Sequence, residues 1–365
     1  MTFCSCSALQ KCVCRTAPAR LTGRFISKIT KGKLRRRLRA LCGAAQGTIC
    51  IMGKTCKIVV CGSFITDLAV YTPRFPRDGE SIVGKQLKTG PGGKGSNQAT
   101  AANRSGAEVV MLTKLGKDAF STIARDHYTH ENMTQKYVYE DANAETGSAV
   151  IEINEQTGEN RIIVMLAAND LLTVEEVDAA EEEIRTCDAV LVQLEANLDA
   201  TAEALRLAKK YHKLTVMNPA PAHEVPLSLF DGVDFITPNE TETEFFSGIK
   251  VTDEASAFAA GHKLIDSLNV GHVVITLGKK GAAVVGKDFE FVVPTTDLKP
   301  VDTTGAGDAF NGGLTVALAE GRELEDAVKF ANCVGSIAVT RKGSSPAMPY
   351  REETEALYER FYSKK

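Results

Sequence analysis

A chain of 365 residues with 44% hydrophobic and 24% charged residues is long enough to bury a substantial core. No run reaches the roughly 18 apolar residues of a helical membrane span, so no membrane partner is expected. The net charge of −3 is uneven, because residues 1–56 hold twelve Lys or Arg and no acid; the rest of the chain therefore carries −15 and would repel a nucleic-acid backbone.

The basic N-terminal stretch is read apart from the rest. It is rich in Arg, Ser and Ala and contains KGKLRRRLRA at 31–40. Three readings stay open: a mitochondrial transit signal within residues 1–50, a disordered or spurious extension ahead of Met52, or a basic arm serving as a nuclear address or nucleic-acid contact. Seven of the ten cysteines lie between Cys4 and Cys56, but Cys4-x-Cys6 and Cys12-x-Cys14 lack the spacing and the histidines of zinc modules. Cys61, Cys187 and Cys333 are scattered singly, which is no disulfide framework and points to a reducing compartment, the cytoplasm.

From residue 57 to 365 one domain is expected. Short β-branched runs alternate with amphipathic stretches, as in strand-helix-strand units around a parallel sheet. KIVVCGSF (57–64) reads as the first strand, SNQATAANRSGA (96–107) as a helix and VVMLTKLG (109–116) as the next strand. DAVLVQLE (188–195) follows as a buried strand, then a helix over 199–212 capped by Asp199, then KLTVMNPA (213–220). DFITPNE, HVVITLG and GAAVVG continue the pattern. The class is α/β. Residues 71–89 and 145–166 alternate like strands outside this pattern, and EQTGEN marks a turn in the second, so a small β appendage is expected.

Two strings carry chemistry. In VDTTGAGDAFNGG (301–313), Gly305, Ala306 and Gly307 let successive N–H groups converge at a helix start, where the dipole also favours an anion. Asp308 beside such a cradle suits a base for a hydroxyl nucleophile; equally, taken alone, it is a helix-capping acid. In GPGGKGSNQA (90–99) the glycines satisfy G-x-G-x-x-G, but the preceding GKQLKTGP is polar and Pro-broken where a buried strand is required. A loop whose backbone, Lys94 and Asn97 approach a polyhydroxylated ligand is the other reading.

Taken together and in order, VDTTGAGD, GGKGSN, NPAPA (218–222), TPNETE (237–242), ITLGKKG (275–281) and the closing AVTRKGSSPAMP (338–349) resemble the ribokinase, or PfkB carbohydrate kinase, family over residues 57–350. The resemblance implies a doubly wound α/β domain with a small β-sheet lid, homodimerisation through that lid, and ATP-dependent phosphorylation of D-ribose at its 5-hydroxyl. By resemblance Asp308 is the catalytic base. The sugar would meet Asp67 in the first turn, Gly93, Lys94, Gly95, Ser96, Asn97 and Glu195. ATP would meet Asn239, Thr276, Leu277, Gly278, Lys279, Lys280, Gly281, Gly305, Ala306, Gly307 and Asn332. Glu242 is the implied Mg²⁺ carboxylate, acting through water. Asp302, Thr304, Ala338, Arg341, Gly343 and Ala347 are the implied K⁺ site.

Three positions depart from the family pattern. Ala347 stands where a Ser hydroxyl is usual, with Ser345 close by. Ile65 replaces an Asn, and the AGAN-like run reads LAAND (166–170). Fructose, another sugar or a nucleoside remain alternative substrates, and a catalytically silent sugar-binding protein is the alternative from a different class.

Overall fold

The computed structural model describes residues 56–363, and the readings of residues 1–55 lie outside them. Along the chain, β1 (Lys57–Cys61) runs into β2 (Ile65–Thr72) and β3 (Gln86–Gly92), followed by α1 (Lys94–Arg104), β4 (Glu108–Gly116), α2 (Ala119–His130) and β5 (Val138–Asp141). Next come β6 (Ser148–Asn154), β7 (Asn160–Met165), α3 (Val174–Asp178), α4 (Glu181–Thr186), β8 (Ala189–Val192), α5 (Leu198–Lys210) and β9 (Leu214–Met217). The last part holds β10 (Phe235–Ile236), α6 (Glu240–Ser247), α7 (Glu254–Leu268), β11 (His272–Thr276), β12 (Ala282–Val285), β13 (Glu290–Val293), α8 (Ala306–Ala319), α9 (Leu324–Ala338) and α10 (Arg351–Tyr362).

The main sheet has nine strands in the order β13-β12-β11-β10-β9-β8-β1-β4-β5. Seven are parallel, and β12 and β13 add an antiparallel edge. The reason lies in the strand sequences: AVLV throughout, and KIVVC after its first residue Lys57, are apolar at every position, so both faces must be covered. Side chains alternate accordingly. Ile58, Val60, Met111 and Leu191 pack with Ala99, Tyr128, Phe310 and Phe330 on one face, and Val59, Cys61, Leu112 and Val192 pack with Ile184, Leu205 and Leu264 on the other. This is a helix-sheet-helix sandwich, the α/β class expected. No helix among the described residues is long and apolar enough to cross a membrane.

A second sheet, β3-β2-β6-β7, forms the appendage. Its first strand starts at Ile65, six residues before the boundary read from the sequence, because ITDLAVYT pairs with both β3 and β6 over its length. The residues after β1 are therefore not a strand-to-helix turn, and Asp67 sits on a lid strand rather than in a turn. A smaller correction concerns α5: Asn197, not Asp199, is the cap, its Oδ1 accepting from the N–H groups of Asp199 and Ala200.

The run LAAND forms a short 3-10 turn at the end of β7. Asn169 is buried, with Oδ1 accepting from Phe64 N–H and Nδ2 donating to Phe64 O and Leu166 O, so one amide clips the outgoing and returning lid connections together. Ala167 beside it adopts φ 48°. A Cβ makes that conformation costly and glycine relieves it. Ala167→Gly is therefore expected to raise stability by about 1 kcal/mol in urea unfolding; a lower midpoint at unchanged slope would show that the strain is absorbed elsewhere.

Candidate active site

The loop GPGGKGSN folds against the 62–65 connection. A Cβ on Gly95 would stand 2.4 Å from Ser63 N, and one on Gly93 2.6 Å from Ile65 N, so the glycines serve close backbone packing here. The first turn of α1 then has its amides occupied: Lys94 N–H donates to Glu195 Oε2 (2.9 Å), and Ser96 N–H to Ser63 O (2.8 Å). Ser96 itself is fully buried. Of this loop's side chains, Lys94 lines the cavity at the start of α8, while Asn97 is buried and engaged by Ser345 and Asp308. Lys94 Nζ pairs with Glu195 Oε1 at 2.6 Å, while Ser63 Oγ donates to Glu195 Oε2 at 2.8 Å.

Asp308 lies in the first turn of α8, but it does not cap it. Gly305 occupies the cap position with φ 75°, and the Asp308 carboxylate faces α1 instead. Asn97 Nδ2 donates to Oδ2 and Gln98 Nε2 to Oδ1, both at 2.9 Å. This removes the helix-capping alternative. Gln98, which the sequence reading passed over, also reaches Asn218 Oδ1 (3.1 Å) and accepts from Gln193 Nε2 (2.7 Å), so the amide that orients the carboxylate is itself held.

The start of α8, Asn239, Glu242, Thr276 and Lys94 line one cavity of about 210 Å³ together with Asn218, Ala220, Thr237, Thr303 and Asn311. Ala306 N–H turns back to Thr303 O, so the N–H groups facing the cavity without an intrahelical acceptor are those of Gly307 and Asp308. A Cβ on Gly307 would meet no protein atom within 4 Å; the glycine keeps cavity space open rather than packing space. Asn239 and Glu242 form a capping box on α6, which explains N-x-x-E in TPNETE locally, yet both also line the cavity. A second, more apolar cavity of about 470 Å³ is lined by Leu277 and Lys280 with Val251, Thr252 and Val292, among others. Gly278, Lys279 and Gly281 belong to the same turn, which closes through Leu277 N–H on Gly281 O. Asn332 lines neither cavity: its Nδ2 is directed to Val293 O (3.2 Å) and Pro294 O.

Burial dominates the electrostatics. Desolvation pushes Asp308 up to about 6, Asp67 to about 6 and Glu242 to about 7. Burial alone would lower Lys94, but Glu195, Asp308 and Glu242 outweigh it and raise its pKa. One ammonium therefore balances several carboxylates, leaving a site that favours further cations.

At the implied monovalent site, Asp302 Oδ1 accepts from Thr304 N–H and Oδ2 from Gly343 N–H, which ties the two loops together. Ala338 O is directed to Arg341 N–H (3.1 Å), and the Arg341 guanidinium pairs outward with Glu353. Ala347 supplies no side-chain oxygen, and the nearby Ser345 hydroxyl donates to Asn97 Oδ1 at 2.6 Å. Among the described residues no cluster of three or more His, Cys, Asp or Glu could hold a metal by itself.

The arrangement is an anion-binding helix start beside a buried, oriented carboxylate, which suits phosphoryl transfer to a hydroxyl. Comparisons with known proteins agree. The pfkB family carbohydrate kinase model matches residues 55–351. The ribokinase of Haemophilus influenzae is 35% identical over 297 residues, 81% of this chain and 96% of that protein, and the deoxyribokinase of Salmonella typhi is equally 35% identical over the same shares. The solved structure of Arabidopsis thaliana ribokinase complexed with ribose and ATP superimposes with a TM-score of 0.77 at 28% identity, covering 84% of this chain and 99% of that one. The family match over most of the chain and relatives of this identity, on this fold, make the chain a member of the pfkB family of carbohydrate kinases, a sugar phosphotransferase.

Proposed function

We propose that this kinase transfers the γ-phosphoryl group of ATP to the 5-hydroxyl of D-ribose. The observation that carries the reading is Asp308: a buried carboxylate, held by two amides, at the rim of a cavity opened by Gly307. Asp308 takes the proton of the sugar hydroxyl as that oxygen attacks phosphorus, and the amides of Gly307 and Asp308 receive the charge of the transferring group. Asp67, Asn97 and Glu195 bind the sugar, with Lys94 neutralising the pair. The 470 Å³ cavity takes the base of ATP between Val251, Leu277 and Val292, and Asn239, Thr276 and Lys280 lead toward its phosphates.

Glu242 fits a divalent ion: it is a buried carboxylate lining the phosphate cavity, with Asn218 and Asn239 as neighbouring oxygen donors. Mg²⁺ held there neutralises phosphate charge. Asp302 with backbone oxygens near Thr304, Ala338, Arg341 and Gly343 fits K⁺, short by one hydroxyl at Ala347. K⁺ held there steadies the 302–305 loop. Two lids are proposed to pair in a homodimer, since strand alternation puts Leu68, Leu87, Val150 and Ile163 on one sheet face and Leu87 and Ile163 are 61% and 65% exposed. The proposed compartment is the cytoplasm, in keeping with the buried free thiols of Cys56, Cys61, Cys187 and Cys333.

The Salmonella relative favours 2-deoxyribose as a second acceptor. A coupled ADP-release assay with ribose, 2-deoxyribose, fructose and adenosine, with and without Mg²⁺ and K⁺, tests both readings. Ribose is expected to give the highest kcat/KM, with loss of turnover without Mg²⁺ and partial loss without K⁺. Preference for 2-deoxyribose replaces the first reading by the second; preference for fructose or adenosine sinks both.

A further inference from the structure

The segment joining α9 to α10 crosses the site in three consecutive residues, each touching a different functional group. Gly343 N–H donates to Asp302 Oδ2 (3.1 Å). Ser344 Oγ lies 2.9 Å from Asp67 Oδ2 and 3.1 Å from Pro91 O at the root of the lid, and the Ser344 Cα would stand 3.3 Å from a Cβ on Gly305. Ser345 Oγ donates to Asn97 Oδ1 (2.6 Å), whose Nδ2 in turn donates to Asp308 Oδ2 (2.9 Å). Ser344 is 4% exposed and Ser345 fully buried.

Buried hydroxyls find partners in any core, so burial alone says little. The choice of partners says more. Their acceptors are 277 and 248 residues away in sequence, on the lid and on α1, and both are groups of the site. An Asn amide presents a donor at one end and an acceptor at the other. With its oxygen occupied by Ser345, Asn97 keeps its nitrogen on the Asp308 carboxylate. Ser344 does the equivalent for Asp67, its hydroxyl holding one carboxylate oxygen and leaving Oδ1 without a side-chain hydroxyl partner from this segment.

We infer that Ser344 and Ser345 are positioning residues of the phosphotransfer reaction, Ser345 acting on the base through Asn97 and Ser344 acting on the sugar-binding carboxylate Asp67. The inference rests on the sugar-kinase reading of the site. It makes the two neighbours separable: Ser345 serves the step in which Asp308 moves a proton, and Ser344 serves the binding of the sugar.

Steady-state kinetics of the full chain with ribose and ATP provides the test. Ser345→Ala is expected to lower kcat about tenfold with the ribose KM within about twofold, while Ser344→Ala raises the ribose KM about fivefold with kcat within about twofold. The KM for ATP stays unchanged in both. In an Asn97→Ala background, Ser345→Ala has no further effect on kcat, because its route to Asp308 is gone. Ser345→Cys keeps the volume and a weak donor and falls between Ser and Ala, and it stands in should the Ala variant not fold. Circular dichroism melting puts each kcat on a folded-molecule basis. Effects that multiply in the Asn97→Ala background, or a kcat loss that only tracks unfolding, overturn the inference and leave the function standing. A wild-type chain that phosphorylates none of the sugars removes both.

Discussion

Asp308→Asn is expected to lower kcat with ribose by at least about a thousandfold while ATP binding, followed by calorimetry, changes little. As the proposed base, Asp308 has no neighbour able to replace it. Gln98 and Asn97 are amides, and Glu242 is engaged with Asn239 through both carboxylate oxygens. Since burial raises Asp308 to about 6, the wild-type kcat/KM should fall on the acid side of about pH 6 as the carboxylate takes up its proton. The same substitution has a stability signature of opposite sign. A carboxyl raised from 3.8 in the unfolded chain to about 6 in the fold binds its proton more tightly when folded, so the fold loses stability as pH rises through that interval. Asn does not titrate. Between pH 4 and pH 8 the stability difference should move in favour of the variant by about 2 kcal/mol, read from urea unfolding at the two pH values. A flat difference would mean that the carboxylate is solvated in the free enzyme, and an unchanged kcat would remove it as the base.

How far such a site is legible in sequence depends on the distance over which each feature is specified. The apolar runs KIVVC and AVLV announce buried parallel strands because the burial of both faces is written into consecutive residues. VDTTGAGD is legible for the same reason: cap, cradle and acid follow one another within a single helix start. Errors begin where two neighbours offer the same chemistry. Asn197 and Asp199 can both cap a helix, and only the backbone conformation at Asn197 decides between them. The first lid strand begins earlier than its apolar pattern announces because Thr66 and Asp67 interrupt that pattern, while the pairing that makes them strand residues comes from β3 on one side and, on the other, from β6 more than eighty residues on. Gln98, Ser344 and Ser345 lay in strings already singled out, yet which of their atoms face Asp308, Asn97 and Asp67 is fixed by contacts across most of the chain.

Lys94→Met should be the most damaging change to the fold within the site. Lys94 Nζ and Glu195 Oε1 are 2.6 Å apart, with side-chain exposures of 28% and 5%, so removing the ammonium leaves a buried carboxylate without its counter-ion. Such a loss costs about 3–5 kcal/mol, against the smaller amount expected for an exposed pair. Asp308 suffers as well, since Lys94 is the charge that holds its pKa down against burial, and in the variant the acid limb of any residual activity moves to higher pH. Adding Glu195→Gln separates the two effects. The double variant no longer buries an unpaired charge and should recover at least half of the lost stability in urea unfolding, while turnover is expected to stay low because both charges of the proposed sugar-binding pair are gone. If Lys94→Met alone costs under about 1 kcal/mol, the pair behaves as a solvent-exposed one, and the balance of one ammonium among several carboxylates does not hold the site together.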